Sequence, residues 1–362
     1  MEVEGIPRVE SESSQKASIY DIEFDELKSV CGNWGEPAYR AKQIWEGLYK
    51  QYFSDPGMFS NLPKTLRVKL GNTYQFSNLN PETIILSDDR NTEKTLFRLN
   101  DGRAIEAVLM QYNNRRTICI SSQSGCAMGC VFCATGQMGY YRNLTSGEIV
   151  EQILYFQRRL LSSGEKITNV VIMGMGEPLH NYDATMAAID RMNDKDGSNF
   201  GARRFTISTV GLVPGIQRFS SERRQVNLAV SLHAIDDDLR TSMLPINKKY
   251  PLTELLPACW AYTETTRRRI TFEWALINGV NDTPIQAHKL GRSLKGHLCH
   301  VNIIPLNPTQ QYEGAPSTTT TARVFQRILA GHGISCTIRI RRGIDIQAGC
   351  GQLAIMHTST DQ

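Results

Sequence analysis

Hydrophobic positions keep one rhythm near the N-terminus of this chain and a different one beyond it. From about Asp21, residues Phe24, Leu27 and Val30 fall three apart. Ala41, Ile44, Trp45, Leu48 and Tyr49 recur at helical spacing after Gly35-Glu36-Pro37, whose proline suits a helix start. A third helix is predicted over 63–70. Residues 21–82 therefore read as a small helical accessory domain, and the polar, Ser/Glu-rich stretch 1–20 ahead of it reads as a disordered tail. Beyond residue 82 the pattern turns to strands, over 83–86, 94–98, 104–109 and 116–120, with Asn100-Asp101-Gly102 as a hairpin turn between two of them. Strands and helices then alternate. Strands are predicted over 167–173, 204–208, 226–231, 270–275, 301–305 and 335–340, and helices over 146–161, 183–192, 252–265, 284–296 and 317–330, with Thr145 or Ser146 as a cap. Repeated β-α units imply a parallel sheet with helices outside it. The fold class is α/β: a partial (β/α)6 barrel core over 83–343, including its leading strands, followed by a C-terminal loop and tail over 344–362.

Composition narrows the setting. Of 362 residues, 41% are hydrophobic and 21% charged, which is ordinary for a globular protein. No apolar run approaches the roughly 18 to 20 residues that span a bilayer, and the acidic start Met1-Glu2-Val3-Glu4 lacks the apolar core of a secretory signal. Nine cysteines in so long a chain do not make a disulfide framework and suit a reducing cytoplasm. The net charge of +4 is unevenly spread: residues 201–342 hold 19 Lys and Arg against 9 Asp and Glu. Arg203-Arg204, Arg223-Arg224, Lys248-Lys249, Arg267-Arg268-Arg269 and Arg339, Arg341 and Arg342 carry much of this excess, which suits either a solvated face or an anionic polymer.

The candidate chemistry centres on Gly125-Cys126-Ala127-Met128-Gly129-Cys130-Val131-Phe132-Cys133. Three thiols in C-x-x-x-C-x-x-C spacing are soft ligands for an iron–sulfur cluster or zinc. A structural zinc site is closed and built from two pairs, and no second pair follows; the next histidine is His180. The physical reading is a [4Fe–4S] cluster with three Cys ligands and one open iron. Other polar residues fall where a parallel β/α barrel keeps its chemistry, at the C-terminal strand ends. Gly174-Met175-Gly176-Glu177-Pro178 follows one strand, Ser208 ends another, Ser231-Leu232-His233 ends a third, and Asn307 follows a fourth. Cys350 lies between Gly349 and Gly351 in a loop free to reach the barrel, and Cys119 lies seven residues before Cys126. Cys31, Cys259, Cys299 and Cys336 read as buried small hydrophobes.

The three-cysteine loop resembles the signature of radical S-adenosylmethionine (radical-SAM) enzymes. Ser121-Ser122-Gln123-Ser124-Gly125-Cys126, Cys133-Ala134-Thr135-Gly136-Gln137-Met138-Gly139 and Arg142-Asn143-Leu144-Thr145 resemble the RlmN and Cfr family of RNA adenine methyltransferases, and the likeness runs to near the C-terminus. In that family SAM chelates the open iron and is split to a 5′-deoxyadenosyl radical. The resemblance implies cluster ligands at Cys126, Cys130 and Cys133, and SAM contacts at Gly176, Glu177, Ser208, Ser231, Leu232, His233 and Asn307. It implies two SAM molecules per turnover and two catalytic cysteines. Cys350 is methylated first, its S-methylene radical adds to the ring carbon, and a Cys119–Cys350 disulfide accompanies release of the methylated RNA. Glu106 matches the proposed general base, with removal of the ring proton left to either Cys119 or Glu106. The implied partners are large-subunit rRNA, a tRNA and an electron donor such as flavodoxin or ferredoxin, with no membrane and no DNA. Gln137-Met138-Gly139-Tyr140, the 173–179 segment and Arg342-Gly343 with Asp345-Ile346 are more similar to the carbon-2 branch than to the Cfr-like carbon-8 branch. One departure is Gly349, where alanine is more usual. A different radical-SAM reaction would need neither Cys119 nor Cys350, and a non-catalytic RNA-binding protein none of these thiols.

Overall fold

The computed structural model describes residues 16–339 and 341–354. One ten-stranded sheet organises the chain, and its strands lie side by side in sequence order. We number them β1 (Leu79–Leu86), β2 (Thr92–Leu99), β3 (Ala104–Tyr112), β4 (Arg115–Ile120), β5 (Asn169–Ile172), β6 (Phe205–Thr209), β7 (Asn227–Ser231), β8 (Ile270–Leu276), β9 (Cys299–Pro305) and β10 (Cys336–Ile338). β1 to β4 pair antiparallel, and every pairing from β4 to β10 is parallel. Six β-α crossovers join the parallel strands, so the expected partial barrel is present, led by an antiparallel ribbon.

The ribbon reads differently from the barrel because its burial differs. The β1 edge strand leaves Ile84, Ile85 and Leu86 exposed, whereas β8 buries Phe272, Trp274 and Leu276 completely. β8 is buried almost throughout, while β5, β6 and β9 alternate buried with half-buried positions, as strands do whose outer face takes helices and whose inner face borders a cavity.

Helix Ser146–Leu161 has the cap that its sequence promises. Thr145 accepts from the Glu148 N–H while the Glu148 side chain accepts from the Thr145 N–H, a reciprocal box contributing about 1 kcal/mol. Asp21 adds a second anchor there, accepting from the Gly147 N–H at 2.6 Å.

Three N-terminal helices, Phe24–Asn33, Tyr39–Tyr49 and Lys64–Thr73, occur where the apolar spacing puts them. They share one continuous core with the barrel through Tyr20, Trp45 and Tyr49. Of the tail expected over 1–20, residues 1–15 lie outside the described residues, as do 355–362 of the C-terminal segment. Residues 16–20 are built in: Ala17–Ser18 pairs in parallel with Tyr74–Gln75, and Ile19 and Tyr20 are fully buried. Their two apolar side chains follow a polar stretch too closely to form a recognisable run.

Helix Val213–Ser221 was not expected. Leu212-Val213-Pro214-Gly215 has the composition of a turn, yet Pro214 falls in the first helical turn, where its missing N–H costs nothing. No helix among the described residues is long and apolar enough to cross a membrane.

Candidate active site

The cluster loop leaves β4 at Ile120 and is pinned from both sides. Gln152, on helix Ser146–Leu161, accepts from the Ser121 N–H at 2.8 Å and donates to the Ser121 carbonyl at 3.0 Å. The Ser121 hydroxyl donates to the Glu106 carbonyl and accepts from the Met175 N–H, at 2.7 and 2.8 Å. The loop between Gln123–Gly125 and Tyr140–Asn143 is closed by an antiparallel pair. Gly125 is required there: its φ is +75°, and a Cβ would stand 2.1 Å from the Gly139 carbonyl oxygen. The cysteines then pack on Met243, Leu244, Ile277 and Leu306, with the Val131 N–H bonded to the Met243 carbonyl.

Cys126 and Cys130 are buried and Cys133 is half-buried. Burial pushes all three thiols up, Cys126 to about 12, and for Cys126 and Cys130 the other sulfurs of the loop add to the rise. Three sulfurs whose charged form is penalised by burial fit a cationic cluster, which would offset that penalty. Among the described residues no three His, Cys, Asp or Glu side chains converge on a single ion-sized point. Three soft sulfur donors on one loop are of the kind that hold a four-iron cluster.

A single cavity joins this loop to residues from every later strand end. Cys130 and Cys133 line it, with Gly176 and Glu177 after β5, Ser208 in β6, Ser231 and His233 at β7, and Asn307 after β9. Cys119 of β4 and Cys350 of the C-terminal loop line it as well. Three expected site residues stand apart. Cys126 is not among the lining residues, and Leu232 is fully buried with its backbone N–H and carbonyl bonded to Glu273 and Ala234. Glu106 also lies outside the lining, buried and paired with Lys94 at 3.1 Å. Burial pushes its carboxyl up, and Lys94 opposes that rise. Removing one partner of such a pair costs roughly 3–5 kcal/mol.

Glu177 is 2% exposed, and burial pushes its carboxyl up to about 7. Its two oxygens accept from the Leu179 and Val210 N–H groups at 3.0 and 2.8 Å, which fixes the carboxylate in place. His233 takes the left-handed backbone, φ +59°, a conformation that costs energy outside glycine. Its Nδ1 accepts from the Ala275 N–H at 2.9 Å, and burial holds the ring neutral, down at about 3. The ring proton therefore sits on Nε2. Asn307 donates from Nδ2 to the Cys350 carbonyl at 3.0 Å, while its Oδ1 is buried without a partner.

Cys119 and Cys350 are both free thiols here. Each is pushed up to about 12, first by burial, then for Cys119 by Cys350 and for Cys350 by Glu273. Cys350 is exposed, but to the cavity it lines, so enclosing protein still penalises its charge. Gly349 explains itself sterically. A Cβ there would lie 2.7 Å from both Asn307 Nδ2 and Gln352 Oε1, the two side chains that hold the loop. Gln352 accepts from the Gly349 N–H at 3.1 Å and donates to the Pro308 carbonyl at 2.9 Å.

Sequence reasoning passed over three polar residues of this region. Glu273 is a buried carboxylate lining the cavity, bonded to Asn302 Nδ2 at 3.0 Å, and its signal was a lone acid inside the apolar run of β8. Gln352 gave none. Arg240 is fully buried and donates to the Val210, Ser231 and Leu232 carbonyls, tying the ends of β6 and β7 together; no local pattern announces it.

Residues 120–289 match the family model described as the radical SAM superfamily, and residues 17–75 match the ribosomal RNA large subunit methyltransferase N-terminal domain. The chain is 49% identical to the dual-specificity RNA methyltransferase RlmN 1 of Myxococcus xanthus, over 94% of this chain and 95% of that one. It is 45% identical to the probable dual-specificity RNA methyltransferase RlmN of Chloroflexus aurantiacus, over 95% and 94%. A crystal structure of a radical SAM methyltransferase from Sphaerobacter thermophilus superimposes with a TM-score of 0.91 at 49% identity, covering 93% of this chain and 99% of that one.

Proposed function

The chain belongs to the RlmN family of radical-SAM RNA methyltransferases, and from that premise we propose that it methylates carbon 2 of an adenine in large-subunit ribosomal RNA and in tRNA. The observation carrying this reading is that Cys119 and Cys350, from distant parts of the chain, line one cavity with Cys130 and Cys133. When bound, a [4Fe–4S] cluster on Cys126, Cys130 and Cys133 and two SAM molecules per turnover supply an electron, a methyl group and a hydrogen-abstracting radical.

The protein's own groups do the rest. Glu177, anchored on two backbone N–H groups, would hold the SAM amine with its remaining lone pairs. His233 offers its Nε2 proton, Ser208 and Ser231 their hydroxyls, and Asn307 its unpartnered Oδ1. Gly176 lets the chain backbone come close to the cofactor. The Cys350 thiol gives up its proton, and its sulfur takes the methyl group. The S-methyl carbon then loses a hydrogen atom and bonds to the ring carbon, joining protein to RNA. Cys119, which lines the cavity, removes the ring proton once its own thiol has given up its proton, with Glu106, paired with Lys94 outside the lining, as the alternative base. The adduct's unpaired electron would pass back to the cluster. The Cys119 sulfur then attacks the Cys350 sulfur, the bond from that sulfur to the transferred carbon breaks, and the freed carbon takes a proton to become the new methyl group. Two electrons later restore both thiols from the Cys119–Cys350 disulfide. The helical unit 21–82 helps hold RNA, a flavodoxin or ferredoxin delivers the single electron, and the cytoplasm provides the reducing setting.

Mass spectrometry of nucleosides from rRNA and tRNA treated with the reconstituted enzyme tests this. The expected product is 2-methyladenosine. A methyl on carbon 8 would place the chain with the Cfr branch, and no methyl on either carbon would overturn the reading.

A further inference from the structure

The cavity runs past the cysteines toward the end of the parallel strands opposite the cluster loop. β3 and β4 pair antiparallel with Tyr112 opposite Arg115, so Tyr112 lies where β4 begins, whereas the cluster loop follows where β4 ends. Tyr112 nevertheless lines the same cavity as Cys130 and Cys133. The cluster loop closes one end, and a polymer too large to enter must present its base from another.

That other end is cationic and aromatic. The guanidiniums of Arg115 and Arg342 stand 4.4 and 4.5 Å from the centroid of the Tyr112 ring. Arg339, Arg341 and Arg342, from the segment that crosses back after β10, line the cavity beside Tyr112. Arg339 and Arg341 are exposed and make no salt bridge among the described residues. The acids nearby are few. Asp89 takes Arg342 at 3.8 Å, Asp345 accepts from the Asp88 N–H, and Glu273 lies deeper, where its carboxyl feels the charge of Arg339. The Arg342 Nε is buried without a partner, a donor still awaiting an acceptor.

We propose that Tyr112 with Arg115, Arg339, Arg341 and Arg342 forms the portal through which RNA presents its extruded adenosine, the guanidiniums holding flanking phosphates, those of Arg115 and Arg342 leaving the Tyr112 ring to do so, and the freed ring stacking on a neighbouring base. This rests on the RNA-methyltransferase reading and deepens it, singling out five residues of a large basic surface. Guanidinium forks match phosphate geometry, and an aromatic face accepts any base, so the portal sets position while the cavity sets chemistry.

Binding of a labelled, adenine-containing RNA hairpin to the full-length protein, followed by anisotropy across a salt series, tests the portal. Arg339→Ala and Arg341→Ala are each expected to flatten the dependence of log affinity on log salt by about 0.7–1, and the Lys variants to retain the wild-type slope. Tyr112→Ala is expected to weaken binding about tenfold with little change of slope. Arg327→Ala, on the exposed face of helix Thr319–Gly331, should match wild type. Wild-type slopes in both Arg→Ala variants would overturn the portal while leaving the methyltransferase reading intact. Absence of RNA binding by the wild-type protein would overturn both.

Discussion

Simultaneous replacement of Cys126, Cys130 and Cys133 by alanine is expected to give a folded protein that remains colourless after anaerobic reconstitution with iron and sulfide, where the wild type turns brown with about four irons per chain. The fold survives because the loop is held by other contacts. Gln152 pins Ser121, the backbone N–H of residue 126 donates to the Gly139 carbonyl, and Met128 packs on the apolar cluster behind. Alanine keeps the small apolar volume of these buried thiols and removes only the donors. RNA methylation should fall below detection, and so should cleavage of SAM to deoxyadenosine. Iron content is the readout that separates a lost ligand set from a lost substrate site. A triple variant that kept its iron would move the cluster elsewhere.

The second large effect divides the two thiols of the proposed scheme. Cys350→Ala should lower methylation by at least about 10³ and give no covalent complex with RNA, because no sulfur remains to carry the carbon. Cys119→Ala should be equally slow in turnover, yet should accumulate a protein–RNA adduct that migrates as one species on a denaturing gel. The asymmetry follows from position. Cys350 sits on a loop tied down by Asn307 and Gln352 and in the proposed scheme carries the carbon, whereas Cys119, fixed in β4, serves only the adduct's release. Turnover by Cys350→Ala at the wild-type rate, or an adduct in that variant, would contradict the two-cysteine scheme.

Particular residues show how far the sequence alone reaches. The barrel was legible because strands buried on both faces, such as Phe272-Glu273-Trp274, become apolar runs of strand length between helical patterns. The cluster loop was legible because three soft ligands in tight spacing serve few purposes. Residues 16–20 and helix Val213–Ser221 were not, since a pair of buried side chains is shorter than any period, and Pro214-Gly215 mimics a turn. Within the site, strand ends pointed to Ser208, Ser231 and Asn307, while Arg240 and Gln352 gave no signal. Their bonds run to backbone carbonyls and N–H groups brought close only by folding. Glu106 owes its role in proton removal to the likeness to known enzymes alone, and the structure pairs it with Lys94, outside the cavity lining.

At the centre of this account is the sulfur of Cys350 as a way-station for the methyl group. The most direct measurement is the mass of the Cys350 peptide after the reconstituted enzyme has met SAM without RNA. The account expects that peptide to be heavier by one methyl group, with the peptide of Cys119 unchanged. A Cys350 peptide that stays unmodified while added RNA is methylated would contradict it.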